Sequence, residues 1–293
     1  MGKIVIFTDE PGWHGKQLKR AFTDHGYDSA YVSLTDCKIQ LESEQVPIQI
    51  KDFEQALPDG VFVRGVPGGS LQEVVFYLDI LHALKQLNIP VYNDAYAIER
   101  SVDKGMTSFL LKQAGLPTPI TWVLRDRETA LIIAEQQLKQ GSHLISKPLF
   151  GSQGVGLRRI EKMTDLFWLT ASNGIYYLQQ FIECVGDDFS DIRVFVIQDQ
   201  AIAGMCRRGT SWLNNVARGA RCEPIELTSV LSELAIKATA ALKMDYAGVD
   251  IIQDKAGCYH VIEVNSIPAW KGLESVCDLN VAELLVNDML RMK

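Results

Sequence analysis

Four consecutive apolar residues, Ile4-Val5-Ile6-Phe7, open the chain and predict a strand over 3–7 that is buried on both faces. After a loop at 8–15, Leu18, Ala21 and Phe22 recur at helical spacing. Further strands are expected at 28–34, 60–64 and 91–93. Between the last two, Ser70 stands three residues before Glu73, a capping-box spacing that opens a helix whose inner face is Val74, Leu78, Leu81 and Leu84 or Leu87. Alternating strands and helices predict a doubly wound, mainly parallel α/β domain. Gly12 and Gly15 do not complete a G-x-G-x-x-G, so a dinucleotide fingerprint is unsupported.

A different pattern follows. A helix is expected over 104–114, ended by Gly115 with Pro117 and Pro119 beyond it. A strand at 121–124, a helix at 128–140 and a strand at 144–147 come next, then a glycine-rich loop and a strand from 157. Another strand ends at 179. A hairpin at 191–197 and 201–207, a polar loop at 209–221, a helix at 230–242, a hairpin over 248–264 and a helix from 281 complete the pattern. The expected division is 1–97, an N-terminal α/β domain; 98–180, carrying the glycine loop; and 181–293, carrying the second hairpin.

Composition narrows the classes. The net charge of −7 disfavours nonspecific attachment to nucleic acid or anionic membrane. No apolar stretch approaches the ~20 residues that span a bilayer. The six cysteines form no C-x-x-C pair. A cytoplasmic protein with reduced thiols is expected, without nucleic-acid or membrane partners, and a homo-oligomer is compatible with the sequence.

Two segments carry chemistry. In Lys147-Pro148-Leu149-Phe150-Gly151-Ser152-Gln153-Gly154-Val155-Gly156, three glycines within six residues let backbone amides approach a phosphate. Ser152 adds a hydroxyl and Lys147 a fixed charge. No Gly-Lys-Ser/Thr follows, so this is not a P-loop; the residues alone read either as a flap over a nucleotide or as a plain hairpin turn. The second segment pairs Ala247-Gly248-Val249-Asp250-Ile251-Ile252-Gln253 with Cys258-Tyr259-His260-Val261-Ile262-Glu263-Val264-Asn265. A hairpin symmetric about Ala256-Gly257 sets Asp250 opposite Glu263, with Asn265 on the same face. Such an oxygen-rich cluster suits Mg²⁺, with Mn²⁺ as a substitute.

With Ser101-Val102-Asp103-Lys104, Gln179-Gln180-Phe181-Ile182, Asp191-Ile192-Arg193, Asn215-Val216-Ala217-Arg218-Gly219 and Glu263-Val264-Asn265-Ser266-Ile267-Pro268, the chain resembles the ATP-grasp superfamily and, within it, RimK-like glutamate ligases. The resemblance implies an α/β and α+β architecture, an ATP-grasp fold behind the N-terminal α/β domain. It places ATP phosphates at Lys104, Lys147 and the loop Gly151, Ser152, Gln153 and Gly154. Backbone groups of the Gln180-Phe181-Ile182 segment would read adenine, and Asp187, or its neighbour Asp188, the ribose. Arg207 is a further ATP candidate. Arg193 and Arg218 would face the reacting carboxylate and the transferred phosphate, Asn215 and Arg64 the substrates, and Asp250, Glu263 and Asn265 the metal. Arg158 and Arg159 match no motif and are read as surface charges. Arg64-Gly65-Val66-Pro67-Gly68 and the run 78–84 look like a branch tied to tetrahydromethanopterin synthesis.

The implied chemistry is ATP-dependent carboxylate–amine ligation. A carboxylate becomes an acyl phosphate and an amine, glutamate by the resemblance, displaces phosphate to form an amide. The acceptor would be a pterin-type cofactor precursor or a peptide or protein carboxylate. The competing reading is a non-catalytic ATP-binding regulatory module. Three intact metal ligands count against it, because a module that only senses nucleotide has little need of them.

Overall fold

The apolar run at the start of the chain is the inner strand of a parallel sheet. The computed structural model describes residues 2–42, 47–151, 154–184, 189–212 and 219–292. In chain order its elements are β1 (Gly2–Phe7), α1 (Gly12–Asp24), β2 (Tyr27–Val32), β3 (Lys38–Ile39), β4 (Ile48–Gln49), β5 (Gly60–Val63), α2 (Leu71–Gln86), β6 (Val91–Tyr92), α3 (Ala95–Val102), α4 (Lys104–Gln113), β7 (Thr121–Leu124) and α5 (Arg127–Lys139). They continue with β8 (Leu144–Lys147), β9 (Arg158–Ile160), β10 (Tyr176–Gln180), β11 (Phe189–Ile197), β12 (Gln200–Gly209), β13 (Arg221–Pro224), α6 (Ser229–Ala241), β14 (Tyr246–Gln253), β15 (Tyr259–Asn265), α7 (Lys271–Glu274) and α8 (Val281–Arg291). Two compact units result, residues 1–99 with 244–247 and 266–293, and residues 100–243 with 248–265.

In the first unit the sheet order is β2-β1-β5-β6, all parallel. Alternation along β1 and β5 sends Val5, Phe7, Val61 and Val63 to the face covered by Tyr77, Leu78 and Leu81 of α2. Phe62 points the other way and meets Phe22 of α1, ring centroids 6.3 Å apart. Both faces are therefore covered, which is why β1 is apolar at successive positions rather than alternate ones. Ser70 and Glu73 form the full capping box at the start of α2. Asn93 ties in the later segments: its Nδ2 donates to Tyr246 O at 2.8 Å and Ser266 O at 2.7 Å, and its Oδ1 accepts from Asp245 N at 2.8 Å. Residues 266–293 pack in this unit, with α8 against α1 and Tyr92 OH donating to Asp288 Oδ2 at 2.6 Å. The division expected from the sequence assigned them to its third segment.

The second unit holds two sheets. The order β7-β10-β8-β9 is antiparallel and packs on α5 through Ala130, Ala134, Leu144, Ile160 and Leu178. The order β13-β12-β11-β14-β15 forms the other, with α6 packed on it. The strand β13 falls at the end of the stretch read as a polar loop. Among the described residues, no helix is long and apolar enough to cross a membrane.

Candidate active site

The β14–β15 hairpin brings Asp250 opposite Glu263 and Gly248 opposite Asn265. The expected pair forms, but by another route. Near the turn the partners are Gln253 with Tyr259 and Ile252 with His260, one residue short of symmetry about Ala256-Gly257. A bulge between Asp250 and Ile251 then restores the offset. Asn265 shares the face: its Nδ2 donates to Gly248 O at 3.2 Å and reaches Asp250 Oδ2 at 3.4 Å.

The two carboxylates live in opposite surroundings. Asp250 is 3% exposed and takes two 2.7 Å bonds from Arg193, Nε to Oδ1 and Nη2 to Oδ2. Arg207 Nη2 adds an ion pair to Oδ2 at 3.0 Å. Burial, the largest influence, would raise the Asp250 pKa; the two guanidiniums outweigh it and hold the carboxyl below its usual range. Arg207 also grips Asp191, Nε to Oδ2 at 2.9 Å, beside β12's pairing with β11. Arg207, a candidate ATP contact in the sequence, is buried and ion-pairs with both Asp250 and Asp191. Glu263 is half-buried and has no hydrogen bond or ion pair among the described residues.

Facing Glu263 electrostatically are Lys104 and Lys147. Burial lowers both lysine pKa values, that of Lys147 to about 8, while Glu263 pulls each back up. Lys104 begins α4 behind its N-cap Asp103, and its Nζ donates to Gly151 O at 2.6 Å, at the edge of the glycine loop. Lys147 ends β8 and donates to Gln179 Oε1 at 2.7 Å, with Gln179 held by Thr121 and Tyr177. Gly154 and Gly156 have φ of 72° and 76°, a backbone that favours glycine.

In the linking segment, Gln180 N–H donates to Ile120 O and Phe181 N–H to His143 O. Ile182 N–H has no partner among the described residues and is available to a ligand. Arg159, read from the sequence as a surface charge, instead stacks on Phe181, Cζ lying 4.0 Å from the ring centroid. It comes from β9, the strand after the glycine loop. The sequence signal that could have found it is the alternation of β9, which points Arg159 away from the exposed Arg158. Arg64 ends β5 in the first unit and donates through Nη1 to Ile267 O at 3.2 Å. Ser152, Gln153, Asp187, Asp188, Asn215 and Arg218 lie outside the described residues.

The donor chemistry fits a hard cation at Glu263 and Asn265. The Glu263 carboxylate is uncommitted, and Asn265 Oδ1 accepts nothing among the described residues. Asp250 is already neutralised by arginines. No group of three or more His, Cys, Asp or Glu side chains suited to a metal occurs among the described residues.

Residues 101–289 match the model of the RimK-like ATP-grasp domain. The chain belongs to the RimK-like ATP-grasp family. This RimK-like chain is 30% identical over 296 residues to the tetrahydromethanopterin:alpha-L-glutamate ligase of Methanococcus maripaludis, covering 98% of each. It is 35% identical over 241 residues to the Methanocaldococcus jannaschii ligase of the same name, covering 80% of this chain and 79% of that one. Among solved structures it resembles the ATP-grasp ligase PsnB complexed with a phosphomimetic variant of minimal precursor, Mg and ADP, with TM-score 0.73, 19% identity, and 99% and 98% of the two chains covered. The RimK-like chain is an ATP-dependent carboxylate–amine ligase.

Proposed function

We propose that this ligase joins L-glutamate to a carboxylate acceptor through an acyl phosphate. The acceptor is a pterin-type cofactor precursor or a peptide carboxylate; the names of the methanogen relatives support the first. The observation that carries the reading is the half-buried Glu263 carboxylate, unpaired among the described residues and facing two lysines with depressed pKa values. Lys104 and Lys147 draw in the ATP phosphates, and Gln180 and Ile182 present backbone groups to adenine, with Arg159 stiffening Phe181 between them. Asp187 serves the ribose. When bound to Glu263 and Asn265, Mg²⁺ supplies positive charge to the phosphates. Arg193 and Arg207 hold Asp250 beside that site in a fixed orientation. Arg193 and Arg218 face the reacting carboxylate, and Asn215 the substrate. The loop containing Gly151, Ser152, Gln153 and Gly154 closes over the phosphates and excludes water from the acyl phosphate. In this scheme 1–97, 98–180 and 181–293 are the functional segments.

The test is ADP release from Mg-ATP with a pterin-type or glutamyl-peptide carboxylate, with and without each of a panel of amino acids. Release stimulated chiefly by L-glutamate is expected. Release independent of every amine would overturn the ligase assignment, and stimulation only by uncharged amines would overturn glutamate.

A further inference from the structure

The first unit holds a half-buried cation, Arg64, with no ion-pair partner among the described residues. Arg64 Nε is fully buried and has no hydrogen-bond partner. Among the described residues Arg64 forms no ion pair, and its Nη1 bond to the Ile267 carbonyl is its one hydrogen bond. Buried guanidiniums are ordinarily paired with carboxylates, because an unpaired one forfeits its hydration without return. Its surroundings are aromatic: the guanidinium carbon lies 5.2 Å from the Trp270 ring centroid, and His14 packs edge-on against that ring at 4.6 Å.

His14 adds a second donor. Its Nε2 accepts from the Trp270 and Lys271 backbone N–H groups at 3.2 and 3.3 Å. The proton of the neutral ring must then sit on Nδ1, which makes no hydrogen bond among the described residues. Burial, then Arg64 and Lys271, push the His14 pKa down to about 4, so the ring stays neutral near pH 7. His14 lies in the first turn of α1, which has 13 residues, no side-chain cap and no acidic residue in that turn. The exposed Lys271 is adjacent, and no carboxylate contributes to the electrostatics of Arg64 or His14.

We propose that Arg64, with His14 and the open start of α1, is a receptor for a non-reacting carboxylate of a substrate. A planar guanidinium stacked on an aromatic ring is suited to a bidentate carboxylate. The site belongs to the first unit, whereas Lys104 and Lys147, which the phosphates require, belong to the second. Its occupant is the side-chain carboxylate of the amino acid or a terminal carboxylate of the acceptor. The choice of carboxylate over other anions rests on the ligase reading above, whereas the receptor itself is testable by binding alone.

The experiment is thermal stabilisation of the full chain by L-glutamate, glutamyl-glutamate or inorganic phosphate, each at millimolar concentration, in wild type, Arg64→Met and Arg64→Lys. Mg-ADP is titrated in the same series as a report on the nucleotide site. Wild type should be stabilised by glutamate or glutamyl-glutamate, and which of the two acts identifies the source. Arg64→Met should weaken that affinity by about 30-fold, the loss of a charged bidentate contact, and melt no lower than wild type without ligand. Arg64→Lys should retain part of the affinity. Mg-ADP stabilisation should persist in both variants, which separates this site from the nucleotide site. Undiminished carboxylate stabilisation in Arg64→Met would overturn the proposal. So would stabilisation of wild type by phosphate alone or by none of the probes, or marked unfolding of both variants, which would make Arg64 structural.

Discussion

Arg207 and Arg64 are both enclosed arginines, and their partners differ completely. In the second unit Arg207 is 5% exposed and lies between Asp191 and Asp250, with Arg193 completing the network. In the first unit Arg64 meets a carbonyl and an aromatic ring and, among the described residues, no carboxylate. The hairpin repeats the contrast among acids, with Asp250 saturated and Glu263 without a partner among the described residues. Charges that satisfy one another fix geometry. Charges left open in a folded protein cost stability unless a ligand completes them.

The widest gap should appear between the two carboxylates. Asp250→Ala strands the Arg193 guanidinium and leaves Arg207 with Asp191, and should cost about 3–5 kcal/mol, whereas Glu263→Ala should stay within about 0.5 kcal/mol. Urea unfolding of the ligand-free proteins measures both, and equal losses would erase the distinction. Next are the arginines: Arg207→Met removes the ion pairs to Asp191 and Asp250 and should lose about 3 kcal/mol, while Arg64→Met loses nothing. A smaller effect is expected at the flap. Gly154 has φ of 72°, so Gly154→Val strains the loop and should weaken ADP binding about tenfold; unchanged affinity in a calorimetric titration would remove the loop from the nucleotide site.

The smallest effect is a pH dependence. Lys147 has its pKa pushed down to about 8, below that of an unfolded chain, so folding disfavours its charged form. Its contribution to stability is therefore complete above about pH 10.4 and is lost as pH falls through about 8. A phosphate needs the charged form, so ADP affinity should decline a few-fold between pH 7 and 9. Lys147→Arg should flatten that profile; an unchanged slope would assign the titration elsewhere.

Local features were legible in the sequence because their causes are local. The Ser70–Glu73 capping box and the two-sided burial of β1 follow from spacing alone. The Asp250–Glu263 pair was reached through a symmetric hairpin that does not exist, and a bulge no periodicity reveals supplied the missing residue. Long-range pairing was out of reach: Arg193 and Asp250 are 57 positions apart, and neither neighbourhood hints at the other. Arg159 looked like a surface charge because stacking on Phe181 depends on how β9 and the segment after β10 are brought together. The short helix α3, capped by the Asp94 side chain on Tyr96 N–H, lacks the length that makes a periodic signal visible.

The central claim is that Glu263 is held unpaired in order to bind metal for phosphoryl transfer. Glu263→Gln preserves shape and removes the charge. Mg-dependent ADP formation and ligand-free melting temperature should be measured on one preparation of wild type and Glu263→Gln. ADP formation should fall by about a thousandfold or more in Glu263→Gln while the melting temperature holds or rises. Near-normal turnover, or loss of turnover together with unfolding, would contradict it.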